Sequence, residues 1–167
     1  MQWERLIIGF SGKPRSGKTE GCKHLANKYG FKRYEMSQPV VAEAKAWMES
    51  KGLNINDYSK EDYRLILEGF GHFMRIAHGE DYWINQVLAK VVGPAALGGI
   101  RYINEVKKIK ETGGFVVRVK RKAALNKDTA ATEIQLDKYK GFDLVVNNNR
   151  TLGYYHQQLD KFIESLK

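Results

Sequence analysis

An apolar strand, a glycine-bounded turn and a helix follow one another without a break in LIIGFSGKPRSGKTEGCKHLANKYGF, and that succession limits what the chain can fold into. Residues 6–10 read as a buried strand, and KTEGCKHLANKY spaces Cys22, Leu25 and Ala26 onto one face of a helix. Between them Gly12, Gly17, Lys18 and Thr19 give the spacing G-x-x-x-x-G-K-T, with Lys13, Pro14, Arg15 and Ser16 in the variable places. Glycines let the backbone close around an anion, so that successive N–H groups and the helix N-terminus point at it. The pattern therefore predicts a loop for nucleotide phosphates, ATP among them. Lys18 would set its charge between the β- and γ-phosphates, its ammonium facing solvent until nucleotide arrives, and the Thr19 hydroxyl would hold Mg²⁺. The competing reading is a glycine-rich turn between strand and helix that binds nothing.

At 167 residues the chain has the length of one domain, enough to bury a core, and its 43% hydrophobic content is ordinary for a globular protein. No apolar run approaches the roughly 20 residues a membrane span requires. The opening MQWERLIIGF enters the first strand directly, without the segments of a secretory signal, and a single cysteine, Cys22, cannot form an internal disulfide. Both features lead to an expected cytoplasmic location, the host cytoplasm if the chain is virus-encoded. Cys22 itself reads as a small buried helix residue. The net charge of +9 would attract a polyanion, so nucleic acid is a partner to be weighed. The densest basic stretch, RVKRKAALNK, is either a solvated face or a lid that closes over ATP. Four histidines, at positions 24, 72, 78 and 156, share no metal-ligand spacing.

Along the chain, GFKRYEMSQP reads as a short second strand and VVAEAKAWMESKG as a helix; Ser59 is placed to cap a helical stretch running to about residue 92, broken near AHGEDYW. A third strand ending near Ile100 is less distinct, because glycine and proline crowd it, and a helix to Thr112 follows. GFVVRVKR and FDLVVNN are clearer strands, and TLGYYHQQLDKFIESLK is an amphipathic terminal helix. Strands alternating with helices imply an α/β fold, a parallel sheet with helices on both faces and the ligand at the carboxyl ends of the strands.

In RLILEGFGHFMRIAHGEDYW the positions Arg64, Leu67, Gly71, Arg75, Gly79, Asp81 and Trp83 fall in the order found in phage-type deoxynucleoside monophosphate kinases, and the chain resembles that family. It departs at Glu68 and His72, where the family carries glutamine and a small hydroxyl residue. The likeness resumes with IRYINEVKKIKETGGFVVRVKR, with DTAATE, which resembles the family's lid segment, and with FDLVVNNNRTLGYYHQQLDKFI, so that it covers most of the chain. The family's acidic residue two positions before Arg101 is replaced by Gly99; Asp81 and Glu105 are the carboxylates offered in its place, if they are not structural ion pairs.

The resemblance implies a P-loop nucleotide-kinase fold over residues 1–167 as a single domain, with an acceptor-binding helical region at about 38–92 and a small lid at about 120–138. It implies transfer of the γ-phosphoryl group of ATP, with Mg²⁺, to a deoxynucleoside monophosphate. Gly12, Lys13, Arg15, Ser16, Gly17, Lys18 and Thr19 would hold the donor. Arg64, Phe70, Arg75, Asp81, Trp83, Arg101 and Glu105 would meet the acceptor, and Arg121 would act from the lid. The chemistry agrees, since phosphoryl transfer asks for alignment and positive charge, and guanidinium groups supply planar forks for phosphate oxygens. Each arginine has a second reading, a surface group paired with a neighbouring acid. Most of Phe70, Phe73, Tyr82 and Trp83 would pack rather than touch a base. Two further functions stay open at this point: a small-metabolite kinase of the same fold, and an inactive, nucleotide-gated module that binds nucleic acid. The sequence also leaves a homodimer open.

Overall fold

The strand ahead of the glycine loop, β1 (Ile7–Ser11), is buried along its whole length, as an uninterrupted apolar strand must be when both faces are covered. The loop leads into α1 (Lys18–Tyr29), which stops where Gly30 adopts the left-handed conformation, and the chain then forms β2 (Lys32–Glu35). It returns to the same sheet through β3 (Ala95–Ile100), α5 (Ile103–Glu111), β4 (Phe115–Lys120), β5 (Leu144–Asn147) and α6 (Leu152–Ser165). The five strands are parallel and lie in the order β2-β3-β1-β4-β5. This is the expected α/β sheet, and the computed structural model describes residues 5–124 and 135–167 of it.

Alternation along β1 sorts its side chains. Ile8 and Phe10 join Val117 and Val146 in a core closed by Leu25 of α1 and Tyr155 of α6. Gly9 faces the other way, against α5: a Cβ there would meet Ile109 Cδ1 at 2.7 Å. The third strand, indistinct in the sequence, is real, and its glycines have a geometric reason. Gly9 pairs with Leu97 but Ser11 with Ile100, so β3 carries one extra residue there, a bulge at which Gly99 takes φ 80°.

The contacts divide the chain into two compact units, one of residues up to Glu35 together with Val91–Lys167, the other Met36–Lys90. The second unit is helical: α2 (Ser37–Ser50), α3 (Lys60–His78) and α4 (Tyr82–Lys90). Ser59 caps α3, its Oγ accepting the Asp62 N–H at 3.1 Å, and the expected break falls between α3 and α4, at residues 79–81. Trp83 is buried and donates Nε1–H to the Gly71 carbonyl at 2.9 Å, while the Tyr82 hydroxyl and Gln86 Nε2 both bond the Glu43 carboxylate. Among the described residues no helix is long and apolar enough to cross a membrane.

A polar cluster ties α1 to α6. Asp160 accepts from His24 Nε2 at 2.7 Å, Lys28 Nζ at 2.7 Å and the Tyr29 hydroxyl at 2.9 Å, and His24 stacks on His156 at 3.9 Å. Burial alone would push the Asp160 carboxyl up, but its donors outweigh burial and hold it at about 2, below its ordinary 3.8. A depressed carboxyl stabilises the fold fully above its unfolded value and ceases to do so as pH falls through its folded value. Asp160→Asn should therefore lower stability by about 1–2 kcal/mol at neutral pH. In urea melts taken at successive pH values, the gap to the unmodified chain should close between about pH 4 and pH 2.

Candidate nucleotide-binding site

The loop between β1 and α1 adopts backbone conformations that few side chains tolerate. Gly12 has φ 154° and Gly17 φ 112°, and Arg15, at φ 63°, is the only non-glycine with positive φ among the described residues. A Cβ on Gly12 would meet the Val119 carbonyl and Ser16 Oγ, each at 2.5 Å, and one on Gly17 would meet Asn148 Nδ2 at 2.5 Å. Both glycines are thus required by close approach as well as by φ. Gly17 opens α1 with no side chain capping the helix, which leaves the first-turn donors to a ligand.

The loop's carbonyls are held from outside. Lys18 Nζ donates to Gly12 O at 2.5 Å and Lys13 O at 2.9 Å, Asn148 Nδ2 to Ser16 O at 2.9 Å, and the Tyr155 hydroxyl to Gly17 O at 3.0 Å. Burial raises the Tyr155 phenol, keeping it a donor. Arg121 Nη1 reaches Arg15 O at 3.5 Å. Lys18 corrects the expectation of a solvent-facing ammonium: it is half-buried and bridges two carbonyls, because a cation on a flexible stem takes the nearest acceptors. Ser16 Oγ is buried with no hydrogen-bond partner among the described residues, the orphaned polar atom a phosphate-binding loop would leave. Thr19 is exposed on the first turn of α1, where its hydroxyl fits a metal carried by nucleotide; no cluster of three metal-ligating side chains exists among the described residues.

Two flanks adjoin the loop. On the β3 side, Arg101 is exposed just past the strand, and Glu105 is buried, its Oε2 accepting the Arg101 N–H at 2.7 Å and the Tyr102 N–H at 3.0 Å, which fixes the start of α5. Glu105 thereby positions Arg101. Glu35, which the sequence reading passed over, ends β2 here. Burial raises its carboxyl, while the charges of Arg33, Lys18 and Arg101 draw it down. Burial also pushes the Cys22 thiol up to about 12, with Glu35 adding to the shift, so Cys22 is an inert packing residue.

On the β4 and β5 side lies a cleft of about 560 Å³, walled by Lys13, Ser16, Arg121, Phe142 and Asn149 among others. Arg118, also passed over as a site residue, crosses its floor, bonding Ser11 Oγ at 2.8 Å and pairing with Asp137 at 2.6 Å. Lys122 N–H bonds Asn149 Oδ1 at 2.7 Å, and residues 122–124 form one turn of 3₁₀ helix. DTAATE, at 128–133, lies outside the described residues, as does most of the expected lid.

The remaining expected acceptor residues belong to the helical unit. Arg75 Nη1 bonds the Glu80 carbonyl at 2.8 Å, and exposed Arg64 pairs with Glu68 at 3.3 Å. Phe70 packs near Trp47 and Trp83, with ring centroids 6.2 and 6.4 Å away, and Asp81 is half-buried at the start of α4.

A parallel sheet in this order, with a braced phosphate loop at its central strand, defines a P-loop protein with the nucleotide-kinase architecture. The chain is 23% identical over 190 residues to a protein of Acanthamoeba polyphaga mimivirus provisionally described as a deoxynucleotide monophosphate kinase, with 96% of this chain and 97% of the viral one covered. Solved kinase structures share the fold. Shikimate kinase from Aquifex aeolicus matches at TM-score 0.55 and 14% identity over 96% of this chain and 98% of its own. Dephospho-CoA kinase from Campylobacter jejuni matches at TM-score 0.53 and 14% identity over 98% of each. No family model matches the chain.

Because a Cβ at residue 12 has a backbone carbonyl in its way, Gly12→Ala should distort the loop rather than displace a side chain. A loss of about 1–3 kcal/mol in stability is expected, with ATP affinity, measured by calorimetry, falling at least about tenfold.

Proposed function

We propose that the chain is an ATP-dependent kinase whose acceptor is a nucleoside monophosphate, a deoxy form in the first instance. The observation that carries the donor half is the braced loop: its carbonyls are engaged by side chains while α1 opens uncapped behind it. The acceptor half is supported by the likeness to the mimivirus protein along the whole chain, and by the order of the segments that resemble the phage-type enzymes.

In this reading Lys18 exchanges the Gly12 and Lys13 carbonyls for phosphate oxygens when ATP enters, so that its charge is already at the loop before the reaction. Ser16 Oγ gains its missing partner. The Thr19 hydroxyl would hold Mg²⁺, and the metal would supply positive charge to the phosphates as the phosphoryl group moves. The cleft beside Lys13 and Ser16 takes the nucleoside part of ATP, Phe142 giving an apolar wall and Asn149 a polar one. Arg121 stands against the loop to bring positive charge to the transferred group. Arg101, held at its backbone by Glu105, is assigned to the acceptor phosphate. Arg75 is assigned to acceptor binding on the sequence resemblance alone, with Arg64, Phe70, Asp81 and Trp83 as its companions in that segment.

The test is ADP formation from ATP and Mg²⁺ in the presence of a panel of ribo- and deoxynucleoside monophosphates. Stimulation by at least one deoxynucleotide is expected; stimulation only by a small hydroxyl metabolite would transfer the chain to the other kinases of this fold. With the acceptor identified, Lys18→Ala should reduce kcat by about 10²–10³. Loss of its two carbonyl bonds should lower Tm by only about 2–4 °C. Arg75→Ala should raise the KM for the monophosphate and lower kcat with ATP affinity unchanged. Equal damage to ATP affinity would remove Arg75 from the acceptor.

A further inference from the structure

Glu35 ends β2 at the carboxyl edge of the sheet, directly opposite Gly98 in the parallel register. A Cβ added to Gly98 would collide with both carboxylate oxygens of Glu35, so the carboxylate lies over the Gly98 backbone, in the volume a side chain on β3 would otherwise fill. The cations that act on it are Arg33, Lys18 and Arg101, and its own charge is felt at Cys22, one turn into α1. The carboxylate therefore lies over the end of β3, where it feels the charge of Lys18 in the first turn of α1, the turn that also carries Thr19.

A negative group in that position opposes the phosphates of a nucleotide unless a divalent cation lies between them. With Mg²⁺ bound, the same carboxylate accepts hydrogen bonds from the cation's waters and fixes their orientation. Gly99 supplies no side chain for this task, and Glu105 is engaged at the start of α5. Asp137, across the loop, is paired with Arg118 and lies 3.6 Å from Lys13. We propose that Glu35 is the positioning residue for the water shell of nucleotide-bound Mg²⁺, reaching over Gly98 from β2 to do what β3 cannot. This rests on the reading of the loop as an ATP site and adds the metal's protein partner to it.

The test measures binding, not turnover. Calorimetry with a non-hydrolysable ATP analogue gives its affinity in Mg²⁺ and in EDTA for the unmodified chain, for Glu35→Gln and for Gly98→Ala. Glu35→Gln keeps shape and removes charge; Gly98→Ala keeps the charge and pushes the carboxylate aside. Both should weaken binding in Mg²⁺ about tenfold, while affinity in EDTA stays the same or tightens. An unchanged Mg²⁺ gain in both variants overturns the proposal. If Glu35→Gln fails to fold, Gly98→Ala decides, since what its Cβ meets is the far end of a flexible side chain and not backbone. An unmodified chain that binds the analogue in neither condition defeats the ATP reading and this proposal with it. Binding with intact metal dependence in the variants defeats only the role of Glu35.

Discussion

Everything at the candidate site depends on where the carbonyls of residues 12–17 point. A peptide group directs its oxygen and its N–H to opposite sides, and five of these oxygens accept from side chains, those of Arg15, Ser16 and Gly17 from elements other than α1. Lys18 holds Gly12 and Lys13, Arg121 reaches Arg15, Asn148 holds Ser16 and Tyr155 holds Gly17. The donors come from α1, from the end of β4, from the turn after β5 and from α6, so the loop's shape is set by elements that arrive late in the chain. This makes an anion site of a glycine-rich turn: a loop with free carbonyls would relax around its own N–H groups, whereas this one is kept open toward a ligand.

The same dependence decides what could be read from the sequence. The loop, the strands with apolar runs, the Ser59 cap and the terminal helix were legible because their signals are local: periodicity, spacing and capping act within a few residues. The β3 strand was blurred for a reason that became clear only in three dimensions. Gly98 is there because the Glu35 carboxylate occupies its side-chain volume, and Gly99 because a bulge demands its φ. Arg118, Asn148 and Tyr155 were illegible as site residues, since each acts across 107 or more positions of sequence. Glu105 hid its local part for the opposite reason: its partners are three and four residues away, a capping contact that its resemblance to a functional segment concealed. The acceptor side was legible only as an order of residues. Within the helical unit Arg64 and Arg75 meet a neighbouring acid and a backbone carbonyl, and nothing local marks them for phosphate.

The sheet order explains why the site has two unlike flanks. From β1 the chain crosses one face through α1 to β2, and from β3 it crosses the other face through α5 to β4, so connections part at the carboxyl end of β1. The β3 flank carries Glu35 and Arg101, charged groups suited to a reacting phosphate and its metal. The β4 and β5 flank carries a cleft with apolar walls, suited to the uncharged part of a nucleotide. In the proposed reading, donor chemistry and donor recognition are separated by the loop itself.

The position of Glu35 also bears on what kind of acceptor the site favours. An alcohol must lose a proton as it attacks, so a carboxylate beside the phosphates would serve it as a base; a monophosphate is already largely ionised at neutral pH and has no such need. If Glu35 faced the acceptor, it would help a hydroxyl and repel a phosphate. Its place over Gly98, where it feels the charges of Lys18 and Arg101, instead ties its charge to the donor side of the reaction. There the carboxylate offsets cations that would otherwise crowd the loop, and Glu105 holds Arg101 by its backbone N–H. A monophosphate acceptor and an acidic residue beside the loop are compatible on these terms, and the two glycines of β3 are what make the arrangement sterically feasible.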